Sequence, residues 1–252
     1  MKLTLKPQVQ VLPDLEAISH KAAEMFVNTS RTCIASQGNF SVAVSGGSTP
    51  RKLYSLLGSA EYSPQVDWQR VHFFWVDERC VPKEHEESNF KTVFDRLLSK
   101  ISIPDENIHR IKGEKDPDKA AQDYEEEVRK FSGTSGLPML DLVILGMGED
   151  GHTASLFPGS NLLKERIRLA APVYLERPNR NRITFTLPVL NNSSQIIFLV
   201  AGHSKADMVY EILGNGRKKE RYPAGMIHPA HGSITWLIDQ EAAKKLRRIE
   251  AA

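Results

Sequence analysis

Cysteine is nearly absent from this sequence. Cys33 and Cys80 are the only two in 252 residues, too few to staple a chain of this size, which points to a reducing compartment. No apolar run approaches the roughly 20 residues needed to cross a bilayer. The start, Met1-Lys2-Leu3-Thr4-Leu5-Lys6-Pro7, has neither the long apolar core nor the small-residue cleavage site of a secretory signal. An excess of one charge is missing too: 33 basic residues against 31 acidic ones leave a formal net charge of +2. That balance supplies no electrostatic case for nucleic acid or membrane binding. There is no internal repeat, no low-complexity tract and no Pro-, Gly- or Ser-rich linker. These absences predict a cytoplasmic globular protein with no nucleic-acid or membrane partner. Nothing in the sequence specifies an oligomeric state.

Several motifs are also missing. Without a Gly-Lys-Ser/Thr there is no nucleoside triphosphate loop. His85-Glu86 has no second histidine at metalloprotease spacing, and no metal site is expected. There is no Gly-x-Ser-x-Gly, so Ser155 is not an elbow nucleophile.

What is present is an alternation of two periodicities. Helical spacing runs from Asp14, placed as a cap, to about Cys33. It recurs from Pro50 through Leu57, from Ser88 to Lys100, from Lys119 to Phe131, from Lys205 to Leu213 and from Gln240 to Ile249. Short apolar or β-branched runs lie between: Phe40 to Val44, Val71 to Val76, Asp141 to Leu145, Arg182 to Leu187, Gln195 to Val200 and Ile234 to Ile238. Strands alternating with helices predict one compact α/β domain over residues 1–252, a Rossmann-like, mainly parallel sheet with helices on both faces.

The strand ends carry the chemistry, as expected where open α/β sheets bind ligands. Val42-Ala43-Val44-Ser45-Gly46-Gly47-Ser48-Thr49-Pro50 reads as strand, glycine turn, hydroxyls and helix start. Glycines let backbone N–H groups approach an anion, and a helix N-terminus adds unpaired donors. A bare turn with a serine cap fits the same pattern equally well; as a site, it suits a small phosphate ester better than a dinucleotide. At Trp75-Val76-Asp77-Glu78-Arg79 three charges follow an apolar strand. Taken alone, the pattern fits a solvated loop or a local ion pair better; at a strand end, Arg79 has the fixed donors to hold a phosphate or a developing oxyanion.

Asp141-Leu142-Val143-Ile144-Leu145 leads into Gly146-Met147-Gly148-Glu149-Asp150-Gly151-His152. The glycines match a dinucleotide fingerprint formally. However, Pro158 and Gly159 fall where the long crossover helix would have to run. A carboxylate two residues before a histidine in a glycine-framed loop instead suggests a general base, since histidine ordinarily titrates near pH 6.5. Lys205, between a strand and a helix, fits a cation facing phosphate. Arg182 opens a strand, where an ordinary surface charge fits as well. The basic run Arg217-Lys218-Lys219-Glu220-Arg221 reads as a solubilising loop. His228 and His231 fit either a surface or a substrate-mouth position.

Taken together, Ser45–Pro50, Trp75–Arg79 with Glu87-Ser88-Asn89-Phe90, and Gly146–Pro158 resemble the 6-phosphogluconolactonase family. Arg182-Ile183-Thr184, Leu187–Asn191 and Gly202–Ala206 resemble it as well, in order over nearly the whole chain. The resemblance implies hydrolysis of 6-phospho-D-glucono-1,5-lactone in the oxidative pentose phosphate pathway, with no metal or organic cofactor. By position it implies His152 as the base activating water and Asp150 as its orienting partner or a contact to sugar hydroxyls. Arg79 would bind phosphate or the oxyanion, and Asp77 would stand in the substrate site. Ser45, Gly46, Gly47, Ser48, Thr49, Lys205 and Arg182 would hold the phosphate.

Two alternatives accompany this reading. Glucosamine-6-phosphate deaminases share Asp-Gly-His but typically continue to a glutamate before proline, where this chain has Phe157, which cannot titrate. A non-catalytic sugar-phosphate sensor would need neither Asp150 nor His152.

Overall fold

Strands with no polar alternation must be covered on both faces, and β2 (Phe40–Val44) and β6 (Leu142–Leu145) are buried at every residue. The computed structural model describes residues 7–134, 136–176, 181–214 and 219–246. Within them β2 and β6 lie side by side in a seven-stranded sheet. The others are β1 (Gln8–Leu12), β3 (Val71–Trp75), β5 (Ile108–His109), β9 (Gln195–Val200) and β10 (Ser233–Asp239). Their order is β1-β10-β9-β6-β2-β3-β5, and every pairing is parallel. Among the described residues no helix is long and apolar enough to cross a membrane.

The winding of this sheet reverses once. From β2 the chain moves outward through β3 to β5. It then returns to β6 and moves the other way through β9 to β10. Right-handed crossovers place α1 (Leu15–Gln37) and α2 (Pro50–Leu57) on one face, where they pack together. The same rule puts α4 (Pro117–Ser132) and α6 (Ala206–Leu213) on the other face. Asp14 caps α1 by accepting from Ala17 N at 2.9 Å, and Gly38 ends it at φ 86°. The inner stripe of α1 buries Phe26 edge-on to Phe40, ring centroids 5.2 Å apart. Burying such a ring contributes about 1.5–3 kcal/mol.

A second, antiparallel sheet of three strands stands beside the first: β4 (Asp77–Arg79), β8 (Arg182–Phe185) and β7 (Ala170–Val173), in that order. Val76 is the pivot between the two. Its N–H donates to Val44 O at 3.0 Å, while its carbonyl accepts from Phe185 N at 2.8 Å. The chain thus leaves the parallel ladder one residue earlier than the run Val71 to Val76 suggests.

Other expectations are corrected in similar ways. The helix expected from Ser88 to Lys100 is α3 (Asn89–Arg96), which ends where Leu97 adopts φ −132°, ψ −64°; a 3-10 turn, Leu98–Lys100, follows. The strand Arg182 to Leu187 stops at Phe185. Thr186 is extended, Pro188 suits a first helical turn, and α5 (Leu187–Leu190) takes over. Lys205 closes a 3-10 turn before α6 and does not begin a helix. Residues 240–246 form turns, not the start of a C-terminal helix. Residues 1–6, Arg217, Lys218 and the end of that expected helix at 247–249 lie outside the described residues.

Candidate active site

A sheet that reverses its winding leaves a crevice beyond its carboxyl edge. The reversal here lies between β2 and β6. A cleft of about 400 Å³ opens there, walled by the loops after the neighbouring strands β9, β6 and β2 and by the β4 segment beyond β3.

The loop after β2 contributes Ser45 to Pro50. Gly47 has φ 94°, a conformation that favours glycine. The Tyr54 hydroxyl donates to Ser45 O at 2.6 Å and ties the strand end to α2. Ser45 Oγ is buried in the cleft wall and has no hydrogen-bond partner among the described residues. Thr49 makes no side-chain cap to α2. Both hydroxyls therefore remain for a ligand, as do Ser48 and the unpaired N–H groups of the first helical turn.

The loop after β6 holds the histidine. His152 Nδ1 lies 2.6 Å from Asp150 Oδ1, which also accepts from His152 N at 3.1 Å. Burial opposes ionisation of Asp150, but the His152 backbone N–H and ring outweigh it and hold the carboxyl below its usual range. An ionised carboxylate requires the proton on Nδ1, which leaves Nε2 as the basic nitrogen. The imidazole is about one-third exposed (34%), so a substrate and a water molecule can reach it. Gly148 stands behind the pair: a Cβ there would fall 2.1 Å from His152 Nδ1 and 2.5 Å from Asp150 Oδ1. The Phe157 ring covers the imidazole, centroids 4.8 Å apart. Ala154, at φ 49°, is the non-glycine residue of this loop held in the left-handed region, a strained conformation typical of functional turns.

Lys205 reaches the cleft from the loop after β9. That loop is anchored by Asp239 at the end of β10, whose two carboxylate oxygens accept from Gly202 N at 3.1 and 2.9 Å. Asp77 and Arg79 reach it from β4. Arg79 Nη1 donates to Glu87 O at 2.6 Å, while its Nε is buried with no partner among the described residues. Each oxygen of Asp77 already accepts from its own chain: Ser155 Oγ donates to Oδ2 at 2.6 Å and Asn89 Nδ2 to Oδ1 at 3.2 Å. Between them Glu78 is 2% exposed and accepts from Arg79 N, Asn89 N, Phe90 N and Ser88 Oγ. Burial pushes its carboxyl up to about 7 despite these donors.

Of the residues expected from the sequence, Ser45–Thr49, Asp77, Arg79, His152 and Lys205 line one cleft. Asp150 joins it through His152. Arg182 does not line it; it sits across the ladder from Arg79, half-buried, with its Nη1 on Asn181 O. His228 and His231 also lie away from the lining. Asn89, which received no role from the sequence, does line it. Among the described residues no three His, Cys, Asp or Glu side chains cluster as metal ligands.

Comparisons with known proteins show the family. The family model described as glucosamine-6-phosphate isomerases/6-phosphogluconolactonase matches residues 13–236. A 6-phosphogluconolactonase of a Nostoc species is 36% identical over 245 residues, covering 96% of this chain and 99% of the relative. A chloroplastic 6-phosphogluconolactonase of Arabidopsis thaliana is 37% identical, over 96% of this chain and 76% of the relative. The crystal structure of 6-phosphogluconolactonase from Thermotoga maritima is 30% identical with a TM-score of 0.80, over 93% of this chain and all (100%) of the other. With its sequence and fold both matched over nearly their full length, this chain belongs to the glucosamine-6-phosphate isomerase/6-phosphogluconolactonase family.

Proposed function

We propose that this chain hydrolyses 6-phospho-D-glucono-1,5-lactone to 6-phospho-D-gluconate, with His152 as the general base. The observation that carries the reading is the His152–Asp150 pair at a cleft that is also lined by the hydroxyl-rich Ser45–Thr49 loop and by Lys205. The loop and Lys205 take the phosphate, and this remote binding places C1 of the lactone against the histidine. His152 Nε2 removes a proton from water as its oxygen attacks C1. The Arg79 guanidinium faces the oxyanion that forms on the carbonyl oxygen. Collapse breaks the bond from C1 to the ring oxygen, which takes the proton back from His152 and leaves the acid. An activated ester needs no covalent nucleophile. The two hydroxyls that follow His152 are committed elsewhere: Thr153 Oγ1 donates to Gly146 O, and Ser155 is buried and donates to Asp77.

A cytoplasmic location fits the two unpaired cysteines. The test is proton release from freshly generated lactone, with ammonia release from glucosamine 6-phosphate as the control. The wild-type protein should exceed spontaneous hydrolysis and release no ammonia. His152→Ala should lose at least about a hundredfold in turnover while still binding 6-phosphogluconate. Hydrolysis at the spontaneous rate, or ammonia release, overturns the reading.

A further inference from the structure

We propose that Asn89 reads a hydroxyl group of the bound sugar and is a specificity-determining residue of the cleft. The inference rests on the lactone-hydrolase reading and goes beyond it by naming the acceptor that selects a polyhydroxy substrate.

Asn89 opens α3, and its position is fixed from several sides. Its backbone N–H donates to Glu78 Oε1 at 2.7 Å. Its Nδ2 donates to Asp77 O at 2.9 Å and to Asp77 Oδ1 at 3.2 Å. Both amide hydrogens are thereby used. The amide cannot be flipped, because its oxygen would then face a carbonyl and a carboxylate. Oδ1 consequently points the other way, over the phosphate loop. A Cβ on Gly46 would fall 1.8 Å from it, so only glycine leaves room for the carboxamide at that point. The side chain is 2% exposed, yet it lines the cleft, and among the described residues nothing donates to Oδ1.

The carboxamide is held by the two acceptors on Asp77, and its own acceptor faces the cleft with no protein donor, so a ligand donor that displaces cleft water is its natural partner. A lactone carbonyl or a phosphate oxygen offers none; a sugar hydroxyl does. The family resemblance puts Asp77 in the substrate site, and in the structure each of its oxygens already has a donor from its own chain. It acts as the bracket that aims Asn89 and links it through Ser155 to the histidine loop. An analogue lacking the hydroxyl would cover Oδ1 without offering it a donor, and a site built to hydrogen-bond a hydroxyl discriminates against such an analogue.

The test compares the wild type with Asn89→Ser, which keeps a short polar side chain but loses the carboxamide oxygen, and with Asn89→Ala. Each is assayed on the full 6-phospholactone and on 6-phospholactones lacking one ring hydroxyl at a time. Thermal midpoints establish folding. On the full lactone both variants should lose about tenfold or more in kcat/KM. On the one lactone missing the recognised hydroxyl they should match the wild type within about threefold, since each has then lost the same contact. An equal deficit on every lactone means Asn89 only supports the fold and overturns the proposal. If neither variant folds, the wild type decides: it must lose about tenfold or more on one deoxy lactone, and uniform rates on all of them reject the acceptor. Hydrolysis of the full lactone by the wild type is scored separately, so failure of the function itself is recognised independently.

Discussion

Lys205 and Asp77 are both charges placed just past apolar strands, and the sequence alone gives them equal claims on a substrate. Their surroundings separate them. Asp77 receives Ser155 Oγ and Asn89 Nδ2, so each of its oxygens already has a donor within the chain. Lys205 lines the cleft and has no carboxylate within ion-pair distance among the described residues. Its counter-charge is therefore expected from the ligand. Lys205→Ala should reduce kcat/KM about tenfold or more for the phosphorylated lactone, since a hydrogen bond to a charged group contributes about 1.5–3 kcal/mol. The unphosphorylated lactone should be nearly unaffected, and equal losses on both would rule out a phosphate role. The same contrast marks what was legible at this scale. Asp150 and His152 lie two residues apart, so their pairing is local and visible in the sequence. The contact from Ser155 to Asp77 joins positions 78 residues apart, and no local pattern encodes it.

Among the elements, the loop between β6 and the Phe157 turn is built on one packing constraint. The His152–Asp150 pair occupies the space where Gly148 would carry a Cβ. Gly148 N donates to His152 O at 2.8 Å and Gly148 O accepts from Gly151 N at 3.1 Å, so the glycine cannot easily retreat. Gly148→Ala should push the imidazole off Asp150 and cut turnover by about a hundredfold, the scale expected for a displaced general base. A thermal scan alongside the assay should show a protein that still folds. Wild-type turnover in Gly148→Ala would mean that the pair tolerates displacement. The sequence shows these glycines as a loop and argues against a dinucleotide site; their role as space for the pair is a matter of three-dimensional packing that no local pattern encodes. Long amphipathic helices such as α1 and α4 were legible because many residues vote for one period. The short strands β4, β5 and β7 were not, since, unlike the equally short β6 and β8, none carries a run of large apolar or β-branched side chains. The turns at 240–246 show the reverse error: apolar spacing suggested a helix where the chain makes none.

For the molecule as a whole, the alternation of strands and helices predicted the parallel sheet and placed the site at its carboxyl edge. The second sheet was not foreseen, because antiparallel partners as distant as β4 and β8 pair only through the tertiary fold. Glu78 lies where the two sheets and α3 meet, and its ionisation links the stability of the whole molecule to pH. Its carboxyl rises from an ordinary 4.5 to about 7 in the fold, chiefly through burial. A group that holds its proton more tightly when folded stabilises the protein fully below its unfolded pKa and loses that contribution as pH rises through the folded value. The window is therefore about 4.5 to about 7, and the contribution is on the order of 3 kcal/mol. His72 acts in the opposite sense. Burial and the neighbouring His109 lower its pKa, so the fold loses stability as acid protonates it. The raw stability profile mixes the two, but a difference profile separates them. Glu78→Gln removes the titrating group while its amide oxygen can still accept from Arg79 N and Asn89 N. Unfolding free energies from urea titrations, measured from about pH 5 to about pH 8, should show the wild type losing ground against Glu78→Gln as pH rises, by up to about 3 kcal/mol. A constant difference across that range would mean Glu78 is charged throughout, held as an ordinary carboxylate cap on α3.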